Sequence, residues 1–463
     1  MNDSRFAALR HYVHKSWSTR PKVILFFSSL ILAFVITKYV FNFDDYEAQG
    51  RALFILLLAA FLWTTEAIPV FAVSFLIMGY SIYFLDDWRW RTINPDWQEY
   101  ISQWSGPVMW LFLGGFILAE GAKKTKFDVY FSQLVITRFG TKPSLVLLGV
   151  MFTTGVLSMF ISNTATAVMM LSVIQPVLAR LDQEDPFRKA LLLGIAASAT
   201  VCGMGTIIGS APNAIAVGNM AENGIDFSFL DWMIVGVPLS IFLSLVSWFF
   251  LLKKYPSAKP EIPYPEKIKV KKKSFRFAVV SITFGVTVLL WTTSGLHGIP
   301  VSVVAFLPIV GLTITGILNA KDIRKIPWDT LILIVGGLIL GDIIRKTELV
   351  DLLVSVFPAD GSYLLLFIAM GLIASVTSNL MSNTAAAGIL IPIASAMLNT
   401  YPLQASLVIA LCCSTAMFLP ISTPPNSIVY STGNIEIKEF RPLGAIVAVA
   451  GITSIIALVY FIF

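Results

Sequence analysis

Two copies of one uncharged polar triplet lie deep inside apolar sequence, one in each half of the chain. They are Ser162-Asn163-Thr164 and Ser382-Asn383-Thr384. Residues 143–179 and 361–435, which contain them, carry no charged side chain. Polar groups in such surroundings need partners, because an unpaired polar group in hydrocarbon is costly. The triplets are therefore the first candidates for binding an ion or a polar solute.

Oxygen ligands for a hard monovalent cation accompany each triplet. Hydroxyls, amide carbonyls and unwound main-chain carbonyls coordinate such a cation without adding fixed charge. A serine precedes the triplet asparagine by five residues in both halves, as Ser158 and Ser378. The sequence predicts two cation sites with these members: Ser158, Ser162, Asn163 and Gly209 in the first, and Ser378, Asn383 and Ser422 in the second.

The last member of each predicted cation site lies in an apolar segment that proline and glycine interrupt. The interruptions are Gly209-Ser210-Ala211-Pro212-Asn213 and Ser422-Thr423-Pro424-Pro425-Asn426. Proline removes a helical hydrogen bond and frees backbone groups, which are tolerated at membrane depth only inside protein or along a cavity. We therefore predict broken helices over 187–222 and 404–432, with a simple kink as the alternative.

Helices that begin at the triplets would direct positive N-terminal ends toward the protein centre. Such ends favour an anion. No Lys or Arg lies near either triplet, so an anion would depend on amides, on the triplet side chains and on bound cations. The hypothesis is a carboxylate held between two sodium sites. Proton coupling is less favoured, because it usually requires an intramembrane carboxylate relay.

Composition indicates an integral membrane protein. The chain has 463 residues, of which 56% are hydrophobic and 13% charged, and its mean hydropathy is +0.79. Recurring apolar segments of about 17 to 25 residues predict an all-α polytopic bundle rather than a β-barrel.

The net charge of +6 comes from short basic blocks between these segments. Such blocks fit topology signals and contact with membrane lipid better than binding to nucleic acid. The three Cys and three His residues show no metal-binding spacing.

About 11 transmembrane helices are predicted, together with two re-entrant hairpins over 143–181 and 361–400. Two ordinary crossings for each hairpin are the alternative. The spans are 23–41, 51–68, 69–85, 107–122, 187–222, 230–252, 275–294, 299–319, 329–344, 404–432 and 442–462. The predicted organisation is an interfacial amphipathic helix at 1–22, a first half at 23–252, a basic cytoplasmic linker at 253–274 and a second half at 275–463.

The two halves are predicted to be inverted repeats. With a cytoplasmic N-terminus, all but six of the 33 Lys and Arg residues face the cytoplasm, as the positive-inside rule requires. An odd number of crossings then separates the two hairpins, so the first enters the membrane from the cytoplasm and the second from the outside. Further paired landmarks are Leu62-Trp63-Thr64-Thr65 with Leu290-Trp291-Thr292-Thr293, and Leu113-Gly114-Gly115 with Val335-Gly336-Gly337. Inverted duplication is typical of secondary transporters.

Motifs for ATP hydrolysis or common hydrolytic chemistry are absent, so an enzyme is not expected.

These motifs, with the Trp-Thr-Thr-Glu-Ala-Ile-Pro run at Trp63 to Pro69, resemble the divalent anion/sodium symporter family of di- and tricarboxylate transporters in its bacterial form. The resemblance extends from about Lys22 to the end of the chain. It implies a multi-pass homodimer in the bacterial inner membrane, with a fixed scaffold domain and a transport domain that moves as an elevator. Substrates of the family include succinate, malate, fumarate and citrate.

Carried over by position, the resemblance gives the two sodium sites listed above. It places the carboxylate against both triplets, with chief contacts from Asn163, Thr164, Asn383 and Thr384, supporting contacts from Ser162 and Ser382, and Pro424 close by. The expected function is import of C4-dicarboxylates by sodium symport. A sodium-independent exchanger and a proton-coupled or citrate carrier remain alternatives, and an anion channel is less favoured.

Overall fold

The computed structural model describes residues 20–41, 48–85, 97–262, 274–349, 362–398 and 400–463, which are helical and contain no β-strand. In the first half the helices are α1 (Arg20–Val35, continued as a π-helix over Ile36–Val40), α2 (Ala48–Thr65), α3 (Val70–Tyr80, continued as a π-helix over Ser81–Leu85), a 3-10 helix (Trp97–Ser105), α4 (Pro107–Thr125), α5 (Phe127–Ile136), α6 (Pro143–Ser158), α7 (Asn163–Leu178), α8 (Phe187–Cys202), α9 (Ala211–Glu222) and α10 (Phe229–Lys254).

The second half contains further helices in the described ranges. Its helices are α11 (Phe275–Thr292), α12 (Ser294–His297), α13 (Val301–Val304), α14 (Phe306–Ile314), α15 (Ala320–Ile323), α16 (Trp328–Lys346), α17 (Tyr363–Leu380), α18 (Asn383–Met397), α19 (Pro402–Cys413), α20 (Pro424–Tyr430) and α21 (Ile437–Ile462).

Helix length and composition support a multi-pass membrane protein. Eight helices in the described ranges are long and apolar enough to cross a membrane, and further apolar helices have 10–17 residues. The predicted all-α membrane class is therefore confirmed for the part of the chain that the structure covers. The count of about 11 spans stays a prediction.

Each triplet separates two helices that meet in a short turn. α6 and α7 have 16 residues each, or about 24 Å, which is less than the roughly 30 Å of hydrocarbon. The Ser162 hydroxyl caps α7 by accepting the amide of Ala165 at 3.3 Å, and the Ser382 hydroxyl caps α18 by accepting that of Ala385 at 3.2 Å. The dimensions of α6 and α7 suit a re-entrant hairpin at the first triplet, whereas α17 has 18 residues and is long and apolar enough to cross a membrane.

The two proline-containing segments are unwound in the middle. α8 ends at Cys202, two 3-10 turns follow, and α9 begins at Ala211. The Asn213 amide satisfies freed carbonyls by donating to Gly203 at 3.0 Å and Thr206 at 2.7 Å. Asn426 does the same between α19 and α20, where it donates to Met417 at 3.2 Å and Leu419 at 2.9 Å.

The repeated tryptophans make equivalent contacts. Trp63 Nε1 donates to the carbonyl of Val70 at 2.9 Å, and Trp291 Nε1 donates to that of Val301 at 3.0 Å. Each tryptophan thereby fixes the turn into the following helix.

The repeated glycines make equivalent contacts across the two halves. A Cβ on Gly114 would lie 2.7 Å from that of Ala305, and a Cβ on Gly336 would lie 2.3 Å from that of Ser74. Ser74 and Ala305 each lie four residues after the valine that accepts the tryptophan hydrogen bond. The glycine of each half therefore packs against the corresponding helix of the other half, as a pseudo-twofold arrangement requires.

Several boundaries differ from the predictions. The span at 299–319 is divided into α13 and α14, because Pro308 cannot continue the hydrogen-bond ladder of the preceding turn. α5 was not predicted. α10 extends to Lys254, into the predicted linker. Most of the amphipathic segment at 1–22 and half of the basic linker at 253–274 lie outside the described residues.

Candidate functional site

The first predicted cation site is a cluster of neutral oxygens. The amide end of the Asn163 side chain lies 2.7 Å from Ser158 Oγ, 3.0 Å from the Ala199 carbonyl and 3.2 Å from the Gly209 carbonyl. With its nitrogen in this position, the amide faces three oxygens and can share its two hydrogens among them. With its oxygen there, four oxygens converge, and the Ser158 hydroxyl carries the single hydrogen among them. That second arrangement is the donor set that a hard cation accepts.

The second site repeats this geometry. Ser378 Oγ lies 2.7 Å from Asn383 Oδ1 and donates to the Cys413 carbonyl at 3.1 Å. In the first site, Ser158 Oγ donates to the Ala199 carbonyl at 2.6 Å. Both serines are fully buried. Residue types and spacing are therefore matched by equivalent hydrogen bonds in the two halves.

The Ser422 hydroxyl is engaged within its own loop and with the second hairpin. It lies 2.8 Å from Asn379 Oδ1 and accepts the Leu419 amide at 3.0 Å. With the hydroxyl occupied, the main-chain carbonyl is the group through which Ser422 would contact an ion. Gly209 offers the same group to the first site.

The triplets combine helix N-termini with partial exposure. Asn163, Ser382, Asn383 and Thr384 are half-buried and Thr164 is exposed, so no triplet residue among these is fully enclosed. The unpaired amides of α7 and α18 begin at these residues. Residues 143–179, 190–221 and 361–435 contribute no charged side chain. The site can therefore bind an anion only through helix ends, neutral side chains and co-bound cations.

Sequence reasoning missed a set of polar groups at the centre. Thr200 Oγ1 lies 3.4 Å from Thr423 Oγ1, which joins the broken helix of one half to that of the other. Ser414 Oγ, Asn213 Oδ1 and Asn426 Oδ1 are buried and have no protein hydrogen-bond partner in the described ranges. Thr423 and both asparagines belong to the Pro-Asn turns that the sequence showed, but Thr200 and Ser414 carry no comparable signal.

The two tips face different surroundings. α18 packs closely on α16, where a Cβ on Gly337 would lie 3.2 Å from the Gly388 Cα. α4 and α7, the corresponding pair in the first half, make no comparable contact in the part of the chain described. Val168, the counterpart of Gly388, is 50% exposed. One tip is covered and the other is open.

A cluster of ion pairs lies at the end of α16, the helix on which the second hairpin packs. Glu222 at the end of α9 lies 2.7 Å from Arg345 at the end of α16, and it accepts from Gln103 Nε2 at 2.7 Å. Lys346 pairs with Glu99 at 2.8 Å. On the opposite side the end of α4 pairs through Lys124 with Asp322, next to the start of α16. Only the first of these contacts joins a broken helix to α16.

Comparisons with known proteins show which family and which fold the chain resembles. A family described as "Citrate transporter" matches residues 60–413. A sodium-dependent dicarboxylate transporter of Staphylococcus saprophyticus is 30% identical over 97% of this chain and 92% of its own. A transporter of the same name from Staphylococcus aureus strain USA300 is also 30% identical, over 93% of this chain and 89% of its own. The crystal structure of the Alcanivorax borkumensis YdaH transporter superposes with a TM-score of 0.57 at 12% identity, over 88% of this chain and 99% of that one, which shows a similar fold.

Proposed function

This chain belongs to the divalent anion/sodium symporter family of carboxylate transporters, and we propose that it imports C4-dicarboxylates such as succinate, malate and fumarate together with sodium ions. Membership makes the protein a transporter and not an enzyme. The observation that carries the proposal is the pair of equivalent neutral oxygen clusters, at Ser158 and Asn163 and at Ser378 and Asn383. Relatives named for sodium-dependent dicarboxylate transport support the choice of ion and substrate.

Sodium suits the two clusters for an electrostatic reason. Each offers a serine hydroxyl, an asparagine oxygen and main-chain carbonyls, with no carboxylate to bind a divalent cation strongly. The carbonyls of Ala199 and Cys413 come from the C-terminal ends of α8 and α19, where the helix dipole is negative. A monovalent cation is stabilised there at low cost in desolvation.

The carboxylates of the substrate would lie between the two tips. Asn163, Thr164, Asn383 and Thr384 supply amide and hydroxyl donors, and the N-terminal ends of α7 and α18, capped by Ser162 and Ser382, add unpaired main-chain amides. Pro424 begins α20 beside them. Since no Lys or Arg balances two negative charges, the bound sodium ions supply the positive charge. Substrate affinity should therefore depend on sodium.

Alternating access is proposed to follow an elevator motion. The paired contacts of Gly114 and Gly336 support a scaffold built from inverted repeats, and α6–α10 with α17–α21 would form the moving unit. We propose that the protein works as a homodimer in the bacterial inner membrane with its N-terminus in the cytoplasm. In that orientation the open first tip faces the cytoplasm.

Uptake into proteoliposomes tests this function. Labelled succinate is supplied with an inward sodium gradient, and separately with potassium, choline or a proton gradient alone. Concentrative uptake that requires sodium is the expected result. Uptake driven by preloaded dicarboxylate without sodium would identify an exchanger, uptake driven by protons would identify a proton symporter, and flux that never exceeds equilibrium would identify a channel.

A further inference from the structure

Asn379 ties the second hairpin tip to the unwound loop between α19 and α20. Its Oδ1 accepts the Phe418 amide at 2.9 Å and lies 2.8 Å from the Ser422 hydroxyl. Its Nδ2 donates to the Ser375 carbonyl at 2.8 Å, one turn earlier on α17. One side chain thus connects two elements that both border the second oxygen cluster.

The first tip achieves the same connection with a different residue. Position 159, which corresponds to Asn379, is a methionine whose carbonyl accepts from Thr206 Oγ1. Thr206 belongs to the unwound loop and also accepts the Gly209 amide at 3.1 Å. The side chain that joins the hairpin tip to the unwound loop therefore belongs to the loop in the first half and to the tip in the second half. Sequence repetition does not extend to this residue.

The surroundings of Asn379 strengthen its hydrogen bonds. It borders an apolar groove of about 870 Å³ between α17 and α21, which Leu372, Val376 and Val449 line. Competition from water is weak in such a place, and hydrogen bonds are electrostatically stronger than at an aqueous surface. Each polar atom of the amide has a protein partner, so the amide serves the connection rather than a ligand in the groove.

We infer that Asn379 is a positioning residue for the second sodium site. It neighbours Ser378, whose hydroxyl contacts Asn383, and it holds the Ser422 hydroxyl, which fixes the loop next to that pair. The inference rests on the proposed sodium-coupled function. Residues that orient metal ligands commonly affect affinity almost as strongly as the ligands themselves.

Sodium dependence of succinate uptake tests this role in the Asn379→Leu variant, which keeps the side-chain size and removes the hydrogen bonds. The sodium concentration for half-maximal uptake should rise at least about tenfold, while the maximal rate at saturating sodium changes little. Met159→Leu is the matched control, because the first tip uses its carbonyl, and it should behave as wild type. Asn379→Asp retains the two acceptor contacts and should restore sodium affinity.

A double-mutant cycle with Ser422→Ala separates positioning from general damage. If the two side chains act as one unit, the double variant should be no worse than Asn379→Leu alone. An unchanged sodium requirement in Asn379→Leu, a fall in maximal rate alone, or additive effects in the cycle would each overturn the inference. A wild-type protein that transports without sodium would overturn the proposed function, and the inference with it.

Discussion

The two hairpin tips are alike in their internal hydrogen bonds and different in their contacts with the rest of the protein. Serine and asparagine are 2.7 Å apart in both, at Ser158 with Asn163 and at Ser378 with Asn383. The second tip packs on α16, whereas the α7 face of the first tip is open. The comparison teaches that the hydrogen bonds inside the tips repeat between the halves, whereas the packing of the tips against α4 and α16 does not.

Under the proposed elevator motion, the difference also indicates the arrangement of the alternative state. In a repeat-swapped arrangement, α7 would close on α4 as α18 now closes on α16, and Val168 would approach Gly115 as Gly388 approaches Gly337. The ion pair between Glu222 and Arg345 would break, because it joins α9 to α16. Alternating access then requires no change inside either oxygen cluster.

The largest expected effect tests the similarity of the tips. Under the proposed site, Asn163→Ala and Asn383→Ala would each remove a sodium ligand and a hydrogen bond to a charged substrate group, which corresponds to a loss of about 100-fold or more in uptake. Succinate uptake by folded, reconstituted variants is the measurement. If a variant transports at the wild-type rate, its asparagine does not belong to the site. A large difference in uptake between the two variants would show that the two tips are not equivalent.

Glycine substitutions test the scaffold that both halves share. Gly114→Ala and Gly336→Ala place a Cβ within 2.7 Å and 2.3 Å of an opposing side chain, so each should destabilise the fold by about 1–3 kcal/mol. Gly285→Ala in α11 is the control, because its new Cβ meets no atom within 4 Å. Thermal unfolding in detergent measures all three. Equal stability of Gly336→Ala and Gly285→Ala would contradict the close cross-repeat packing.

Thiol labelling tests the asymmetry directly. Cysteine at Val168 should react readily, whereas cysteine at Gly388 needs a local opening that slows labelling at least about tenfold. The three native cysteines are buried and provide a low background. Equal rates would mean that the covered and open tips exchange freely in the resting protein.

The smallest expected effect concerns Lys124 and Asp322. The hydrogen bond from Lys124, followed by that from the Asn319 amide, lowers the pKa of Asp322. A carboxyl with a lowered pKa stabilises the fold above its unfolded pKa of about 3.9, and this stabilisation is lost as the pH falls. Lys124→Gln should therefore reduce thermal stability at pH 7, and reduce it by less at pH 3, which lies below the unfolded pKa. A deficit that is equally large at both pH values would exclude the ion pair as its cause.

Sequence alone predicted the features that depend on local chemistry. These features are short sequence patterns whose hydrogen bonds recur at equivalent positions of the two halves: the triplets, the Pro-Asn turns and the repeated tryptophans. The Asn379 contact and the direction of the Ser422 hydroxyl could not be predicted, because they replace a contact that the first half makes with Thr206. The packing of α18 on α16 also could not be predicted, since two nearly equivalent arrangements are open to an inverted repeat and the sequence does not rank them.

The most direct test of the account is the number of sodium ions that move with each succinate. Reversal of succinate flux in proteoliposomes, measured against graded sodium gradients at fixed membrane potential, gives this ratio. Two equivalent oxygen clusters predict at least two sodium ions per succinate. A ratio of one, or flux that does not respond to sodium, would contradict the assignment of a sodium ion to each hairpin tip.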